Sequence, residues 1–401
     1  MLGCATAVVV AFGGFLPGQI FRPAVVGAAT YFAIRMDRWL GLRLRAVLAM
    51  AFGLTGTVLG CGIGIPHTVS DGLSLRATAG LVALLLGAPT LALGLITLIR
   101  TIPRRQGKSR PRLLAICCIP LSLAFFVGPL IQTVAAVNPP PTHLGLITPA
   151  ARGMRYDDVT FTTSDGVTLR GWYVPSRNRA AVVLVHDTGT TRSSVLAHAV
   201  ELARQGYGTL LFDLRGHGAS DGDAMELCWR CERDVTAAVS YLSKRRDVDP
   251  TKIGVMGLGR GGEVALTAAA ADRRIAAVVA EGIGRRTPVD TITLPLSPLG
   301  WLQGINELTR YGFTTVLRQS FPPRSLRGAI KRTAPRWIML IAEKKSLDAS
   351  RIYQKVSPNN VVVWELPRTP DTQAYEFHTT PWEQQVGSFF RDTLYPRVLA
   401  R

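Results

Sequence analysis

The chain has 401 residues, 47% of them hydrophobic, and a formal net charge of +19. That length admits more than one folding unit. The charge is not a nucleic-acid footprint: residues 1–138 hold 12 basic and 2 acidic side chains, a net of +10 gathered in loops, and the other +9 is spread with no stripe or aromatic platform.

Composition divides the chain near Asn138-Pro139-Pro140-Pro141. Upstream, apolar runs alternate with basic loops. Ala46 to Ile65, Ala77 to Ile99 and Leu113 to Val137 each have the length that crosses a bilayer core. Leu2 to Ile20 is a fourth candidate, broken by Pro17 and Gln19, and Ala24 to Ile34 is too short to cross alone. The first run lacks a positive n-region and further spans follow, so it reads as a retained helix and not a cleaved leader. Residues 1–137 are therefore expected to form a transmembrane region of about four helices. Arg35, Arg38, Arg43 and Arg45 fill one loop; Arg100, Arg104, Arg105, Lys108, Arg110 and Arg112 fill another. No Lys or Arg stands between Val137 and Arg152. The positive-inside rule then puts both basic loops in the cytoplasm and the C-terminal body outside it. The expected location is the cell membrane, multi-pass, with membrane lipid as a partner.

Residues 138–154 read as a linker and 155–401 as a folded domain. Phe161 to Val174 alternates around Asp165-Gly166, a hairpin signal. Ala180 to Val185 is an unbroken apolar run, as a strand covered on both faces requires. A helical stretch, Ser193 to Gln205, precedes the strand Thr209 to Phe212; a helix over Arg233 to Leu242 precedes the strand Ile253 to Met256. Ile275 to Ala280, Trp337 to Ile341 and Val361 to Trp364 complete the strands, and a last helix covers Trp382 to Leu394. A hairpin followed by strand-helix units predicts a mostly parallel α/β sheet with helices on both faces. Residues 287–333 break the rhythm and read as a cap. Cys228 and Cys231 form C-W-R-C. Two ligands make no zinc site. Spacing of i,i+3 on a helix strains a disulfide, so two free thiols are expected, with a disulfide as the alternative in an oxidising compartment.

Between the strand ending at Met256 and the helix from Glu263 lies Gly257-Leu258-Gly259-Arg260-Gly261-Gly262. A strand, a sharp glycine turn and a helix form the setting of the nucleophile elbow, G-x-S-x-G. Here the serine position is Gly259. The elbow, with Asp165-Gly166-Val167-x-Leu169-x-Gly171-Trp172, His186-Asp187 and Asp213-Leu-Arg215-Gly216-His217-Gly218-x-Ser220-x-Gly222, resembles the α/β-hydrolase superfamily, in the branch of serine aminopeptidases and dienelactone-hydrolase-like esterases. The resemblance covers about residues 155–395 and implies an α/β-hydrolase fold behind an all-α membrane anchor.

It also implies where a triad should stand: nucleophile at Gly259, acid at Asp348 with Glu343 as second candidate, and base at about Asp371-Thr372, with His378 as a displaced base. The oxyanion donors would be the backbone N–H of Arg260 and one near Asp187 or Thr188. Asp187 stands where the family carries glycine, and a carboxylate there opposes the charge the hole should hold. His186 and His217 read as structural turn residues. Two functions stay open: a pseudo-hydrolase that binds or scaffolds, with an acyl or small-molecule ligand in its pocket, and an active ester or amide hydrolase with a rearranged set. A different class is a dinucleotide site, since Gly257, Gly259 and Gly262 fit G-x-G-x-x-G and Glu281 follows at the end of the next strand. The hydrolase reading calls for no cofactor, no metal and no nucleic acid.

Overall fold

The structure is a computed structural model that describes residues 41–101, 127–225, 227–291, 298–318 and 320–395. The run Leu2 to Ile20, the first half of Leu113 to Val137 and both clusters of loop arginines, Arg43 and Arg45 apart, lie outside or at the edge of those residues. The chain divides into two compact units: residues 1–140 with 305–320, and residues 141–304 with 321–401.

In the first unit, helix α1 (Leu42–Asp71) and helix α2 (Leu75–Arg100) are each long and apolar enough to cross a membrane, by length and composition. A shorter apolar helix, α3, covers Val127–Val137. Helices α1 and α2 meet along small residues. Gly80, Gly87 and Gly94 recur at seven-residue spacing on α2. A Cβ on Gly80 would lie 2.5 Å from the Gly64 Cα, one on Gly87 2.7 Å from the Thr57 nitrogen, and one on Gly94 2.9 Å from the Ala46 carbonyl. The backbones are as close as glycine permits, which is how apolar helices gain packing without a hydrophobic driving force. Large apolar side chains point the other way: Leu85 and Leu93 of α2 are exposed.

The second unit is the expected α/β sheet, with eight strands in the order β1-β2-β4-β3-β5-β6-β7-β8. They are β1 (Asp157–Thr162), β2 (Thr168–Val174), β3 (Ala181–Val185), β4 (Gly208–Phe212), β5 (Ile253–Leu258), β6 (Ile275–Glu281), β7 (Ile338–Glu343) and β8 (Val361–Leu366). Strands β1 and β2 form the hairpin around Asp165-Gly166, and β2 pairs antiparallel with β4; every other pairing is parallel. Apolar residues alternate between two cores. From β3, Ala181, Val183 and Val185 join one core, packed under α5 (Glu232–Leu242) and α6 (Arg260–Ala271); Val182 and Leu184 join the other. That second core is covered by α4 (Leu196–Arg204) and α10 (Thr379–Leu394), the latter placing Trp382, Val386 and Phe390 on the sheet.

The segment read as a cap holds a short turn of helix at Pro288–Thr291, a long helix α7 (Pro298–Arg318) and α8 (Leu326–Thr333). Helix α9 (Leu347–Val356) joins β7 to β8.

The expectation of two free thiols is corrected: Cys228 and Cys231 form a buried disulfide, with Cα atoms 5.3 Å apart. The pair precedes the helix and does not lie on it. Cys228 has φ +47°, and Cys231 is the residue that caps α5.

Filling the α1–α2 seam should cost stability. Gly87→Leu is expected to destabilise the purified full chain by about 1–3 kcal/mol or more through overpacking, read as a lower thermal midpoint in detergent. Leu85→Ala, on the exposed side of the same helix, should shift that midpoint little. Equal effects would show that the seam is not formed.

Candidate functional site

The elbow is built as the sequence implies. Strand β5 ends at Leu258, Gly259 adopts φ +51° and ψ −119°, and α6 starts at Arg260. A non-glycine residue held there is strained, which is the conformation that pushes a nucleophile outward. Gly259 carries nothing outward, yet the space above it is filled. The Asp187 side chain, from the loop after β3, lies over it. A Cβ on Gly259 would come within 2.5 Å of the Asp187 Cγ, with Oδ2 nearer still and Oδ1 at 2.7 Å.

The same carboxylate takes the oxyanion donors. Asp187 Oδ1 accepts the backbone N–H of Arg260 at 2.8 Å and that of Thr188 at 2.8 Å. The donors foreseen at Arg260 and Thr188 are therefore present, and both are satisfied by the protein itself. Asp187, foreseen as a donor position, supplies the acceptor. Burial pushes the Asp187 carboxyl above its ordinary range, while the N–H groups of Arg260 and Thr188 and the Arg260 charge pull it back. Arg260 bonds the carboxylate of Glu263 at 2.6 Å, and Glu263 accepts the Gly284 N–H at 3.2 Å.

The histidines near the strand ends are committed to structure. His186 is fully buried; Nδ1 donates to its neighbour Asp187's carbonyl at 2.7 Å and Nε2 accepts the Leu214 N–H at 3.0 Å. Burial pushes its pKa down to about 3, so it is neutral. His217 Nδ1 donates to the Arg215 carbonyl at 3.0 Å and Nε2 accepts the Gly189 N–H at 3.4 Å. Asp213 accepts backbone N–H groups of Arg192 at 2.8 Å and Ala219 at 2.9 Å, and Arg215 is held between Asp165 and Asp234. These residues pin the loops after β3 and β4; none is an exposed acid or base.

On the acid side, Asp348 is exposed on the first turn of α9, where the positive end of the helix suits a carboxylate. Glu343, the second candidate, ends β7 and is fully buried. It lies against Glu281, the last residue of β6, and the two form a carboxyl pair that the sequence reading missed. Its signal was available: both are acidic residues closing buried parallel strands. Glu281 accepts the Ala374 N–H at 3.0 Å, and Ser346 Oγ donates to Glu343 Oε2 at 3.2 Å. Burial pushes both carboxyls up: Glu281 to about 7, with the hydrogen bonds from Ala374 and Glu343 pulling it back, and Glu343 to about 9, where the Glu281 charge adds to burial.

On the base side, the loop around the expected position lies against β6, with the Thr372 methyl 2.7 Å from a Cβ built on Gly282. Asp371 accepts the Lys345 N–H at 3.1 Å. His378 Nε2 pairs with Thr369 Oγ1 at 2.9 Å, and its backbone starts α10. It is thereby brought to Thr369.

The dinucleotide alternative fails on the same geometry. The start of α6, where a pyrophosphate would sit, is occupied by the Asp187 carboxylate, and one anion excludes another. Glu281, assigned to the ribose, is buried and bonded to Ala374. No group of metal-ligating side chains occurs among the described residues.

Two predictions arise here. Gly259→Ser brings a side chain into the Asp187 carboxylate and should destabilise the protein by about 2–4 kcal/mol, from strain and overpacking together. In the double variant with Asp187→Gly the clash disappears. Thermal or urea unfolding should then show a loss smaller than the sum of the two single losses; strict additivity would mean the two residues do not share that space. The carboxyl pair gives a pH dependence. A carboxyl whose folded pKa is raised stabilises the fold at low pH and loses that contribution as pH rises. Stability should therefore fall from about pH 4.5, where an unfolded glutamate ionises, through pH 7 and above. Glu343→Gln should flatten that fall; an unchanged slope would contradict the pair.

Comparison with known proteins agrees with this architecture. The chain is 41% identical over 132 residues to a polyketide transferase of Stachybotrys chlorohalonatus, 32% of this chain and 44% of that one. It is 32% identical over 128 residues to a thiohydrolase of Aspergillus aculeatus, 31% of this chain and 40% of that one. An uncharacterized protein of Mycobacterium tuberculosis is 33% identical over 145 residues, 35% of this chain and 51% of that one. The chain thus spans about half the length, or less, of the curated relatives it matches. Among solved structures, an esterase of Pyrococcus furiosus superposes with a TM-score of 0.53 at 22% identity, over 65% of this chain and 98% of that one, a likeness of fold. The model of the Alpha/beta hydrolase family matches residues 182–398, more than half of the chain, and the chain belongs to that family.

Proposed function

We propose that this α/β-hydrolase-family domain does not hydrolyse through its elbow and acts as a membrane-anchored binding or scaffold module. One observation carries the reading: the Asp187 carboxylate lies over Gly259 and takes the Arg260 N–H. Acyl transfer needs a nucleophile, a base for its proton and donors for the oxyanion. The first is absent at Gly259. The third is already bonded to an anion. As for the second, His186 and His217 spend both ring nitrogens on backbone groups, and His378 Nε2 is bonded to the Thr369 hydroxyl. By parentage the ligand is an acyl compound or another small molecule.

The names of the relatives favour a second reading, an active acyl transferase or thiohydrolase with rearranged residues. It requires Asp187 to swing out of the hole and another side chain to supply the nucleophile. A serine-directed fluorophosphonate probe separates the two. The purified full chain should not be labelled, because any nucleophile away from the elbow forfeits oxyanion stabilisation worth roughly 3 kcal/mol. Robust labelling mapped to one residue would establish the second reading.

We further propose that α1 and α2 span the cell membrane in a multi-pass anchor and that the hydrolase-like domain lies outside the cytoplasm. The Lys/Arg-free stretch after Val137 and the buried Cys228–Cys231 disulfide, a bond of oxidising compartments, both support that side. Reporter fusions after Pro141 and after Lys108 should give opposite signals. A cytoplasmic signal at Pro141 would overturn the orientation.

A further inference from the structure

Helix α7 is inside out. Leu317 is exposed, at 39%, and Trp301, Ile305, Leu308 and Val316 more so, between 44% and 72%. Steps of four, three and eight put the last four on one face of a helix. The face turned inward carries Tyr311 and Thr314, both buried. The Glu307 and Arg310 side chains are mostly covered, 27% and 21% exposed, and bond each other at 2.8 Å. A helix at the surface of a water-soluble protein shows the reverse pattern.

Its surroundings say what covers that face. From Ile305 onward the helix belongs to the same compact unit as α1, α2 and α3, and the Arg310 carbonyl accepts the Thr133 hydroxyl of α3 at 3.4 Å. Among the described residues of that unit, most other large exposed apolar side chains lie on the two long apolar helices, including Leu85 and Leu93. The apolar stripe of α7 thus continues an apolar surface already sized for lipid. A tryptophan at one end suits the headgroup level, and Arg324, Lys331 and Arg332 follow within the next turns of chain, positioned in sequence for anionic headgroups.

Topology decides how it can lie. The 21 residues of α7 would reach about 32 Å, enough to cross a bilayer core. Yet α7 is inserted between β6 and β7, which are hydrogen-bonded neighbours in one sheet. A single helix whose two ends return to the same sheet must begin and end on one side of the membrane. We infer that α7 is an interfacial helix, its Trp301-Ile305-Leu308-Val316 face embedded in the outer boundary of the lipid bilayer that α1 and α2 cross. The segment read from sequence as a cap is then a second membrane contact of the hydrolase-like domain. This rests on the membrane reading of α1 and α2.

Photocrosslinking of the full chain tests both separately. A diazirine amino acid is encoded at position 308, at 311 and, as reference, at 85, and the protein is reconstituted in phosphatidylcholine–phosphatidylglycerol vesicles. After illumination, intact mass reports phospholipid, protein or water adducts. Position 308 should give a phospholipid adduct in yield comparable with position 85 and about tenfold above position 311, as an embedded apolar face requires. Phospholipid at 85 with water or a second protein copy at 308 would overturn the inference and leave the anchor standing. Water at 85 would overturn the anchor itself. Should substitution at 308 prevent folding, position 305, on the same face, gives the same readout.

Discussion

One carboxylate organises the site. Asp187 sits at the N-terminal end of α6, where the unbonded N–H groups and the helix dipole favour a negative charge. In an acyl-transfer enzyme that end is kept open for a charge that appears only in the transition state. Here the protein's own Asp187 side chain takes it, bonded at 2.8 Å to Arg260 and at 2.8 Å to Thr188. Gly259 follows from this arrangement, since a side chain at the elbow and the carboxylate over it would share one volume. Gly259 and Asp187 are thus sterically and electrostatically matched. The same carboxylate excludes a pyrophosphate.

What the family framework needs for folding is kept. His186 and Asp213 bond backbone groups of the loops after β3 and β4, and the Asp234 carboxylate accepts the Arg215 backbone N–H, so the strand ends are held in register around the elbow. Those bonds satisfy buried donors and acceptors whose loss would cost about 1–3 kcal/mol each. Their retention is explained by stability alone and says nothing for catalysis. The Glu281–Glu343 pair has a similar standing. It closes β6 and β7 and, through Ala374, ties down the loop where the family's base would stand.

The fold was legible because its signals are local. The period-two hairpin, the unbroken apolar runs of β3 and β5 and the glycine turn after β5 each fix an element without tertiary information, and the strands fall where those patterns put them save β1, which starts at Asp157, ahead of the expected Phe161. Part of the site was legible too: Gly259 at the tip, the donors at Arg260 and Thr188, and Asp187 as a misfit beside them. What could not be read was contact. No pattern shows that the Asp187 carboxylate reaches over Gly259, that Glu343 turns inward while Asp348 turns out, or that His378 is bonded to Thr369. These depend on the meeting of segments 73, 62 and 9 residues apart. The disulfide was misjudged because Cys228 and Cys231 were placed on a helix that starts one residue later. The burial pattern of α7 was likewise hidden, because apolar periodicity marks an amphipathic face without saying which solvent it meets.

The central claim is that the elbow is closed to acyl chemistry by the protein's own anion. Single-turnover exposure of the full chain to a short acyl thioester, followed by intact mass and free-thiol readout, tests it most directly. The account predicts an unchanged protein mass and thiol release no faster than in buffer. A stoichiometric acyl adduct mapped to the β3–α4 loop or to the start of α6, with matching thiol release, would contradict it.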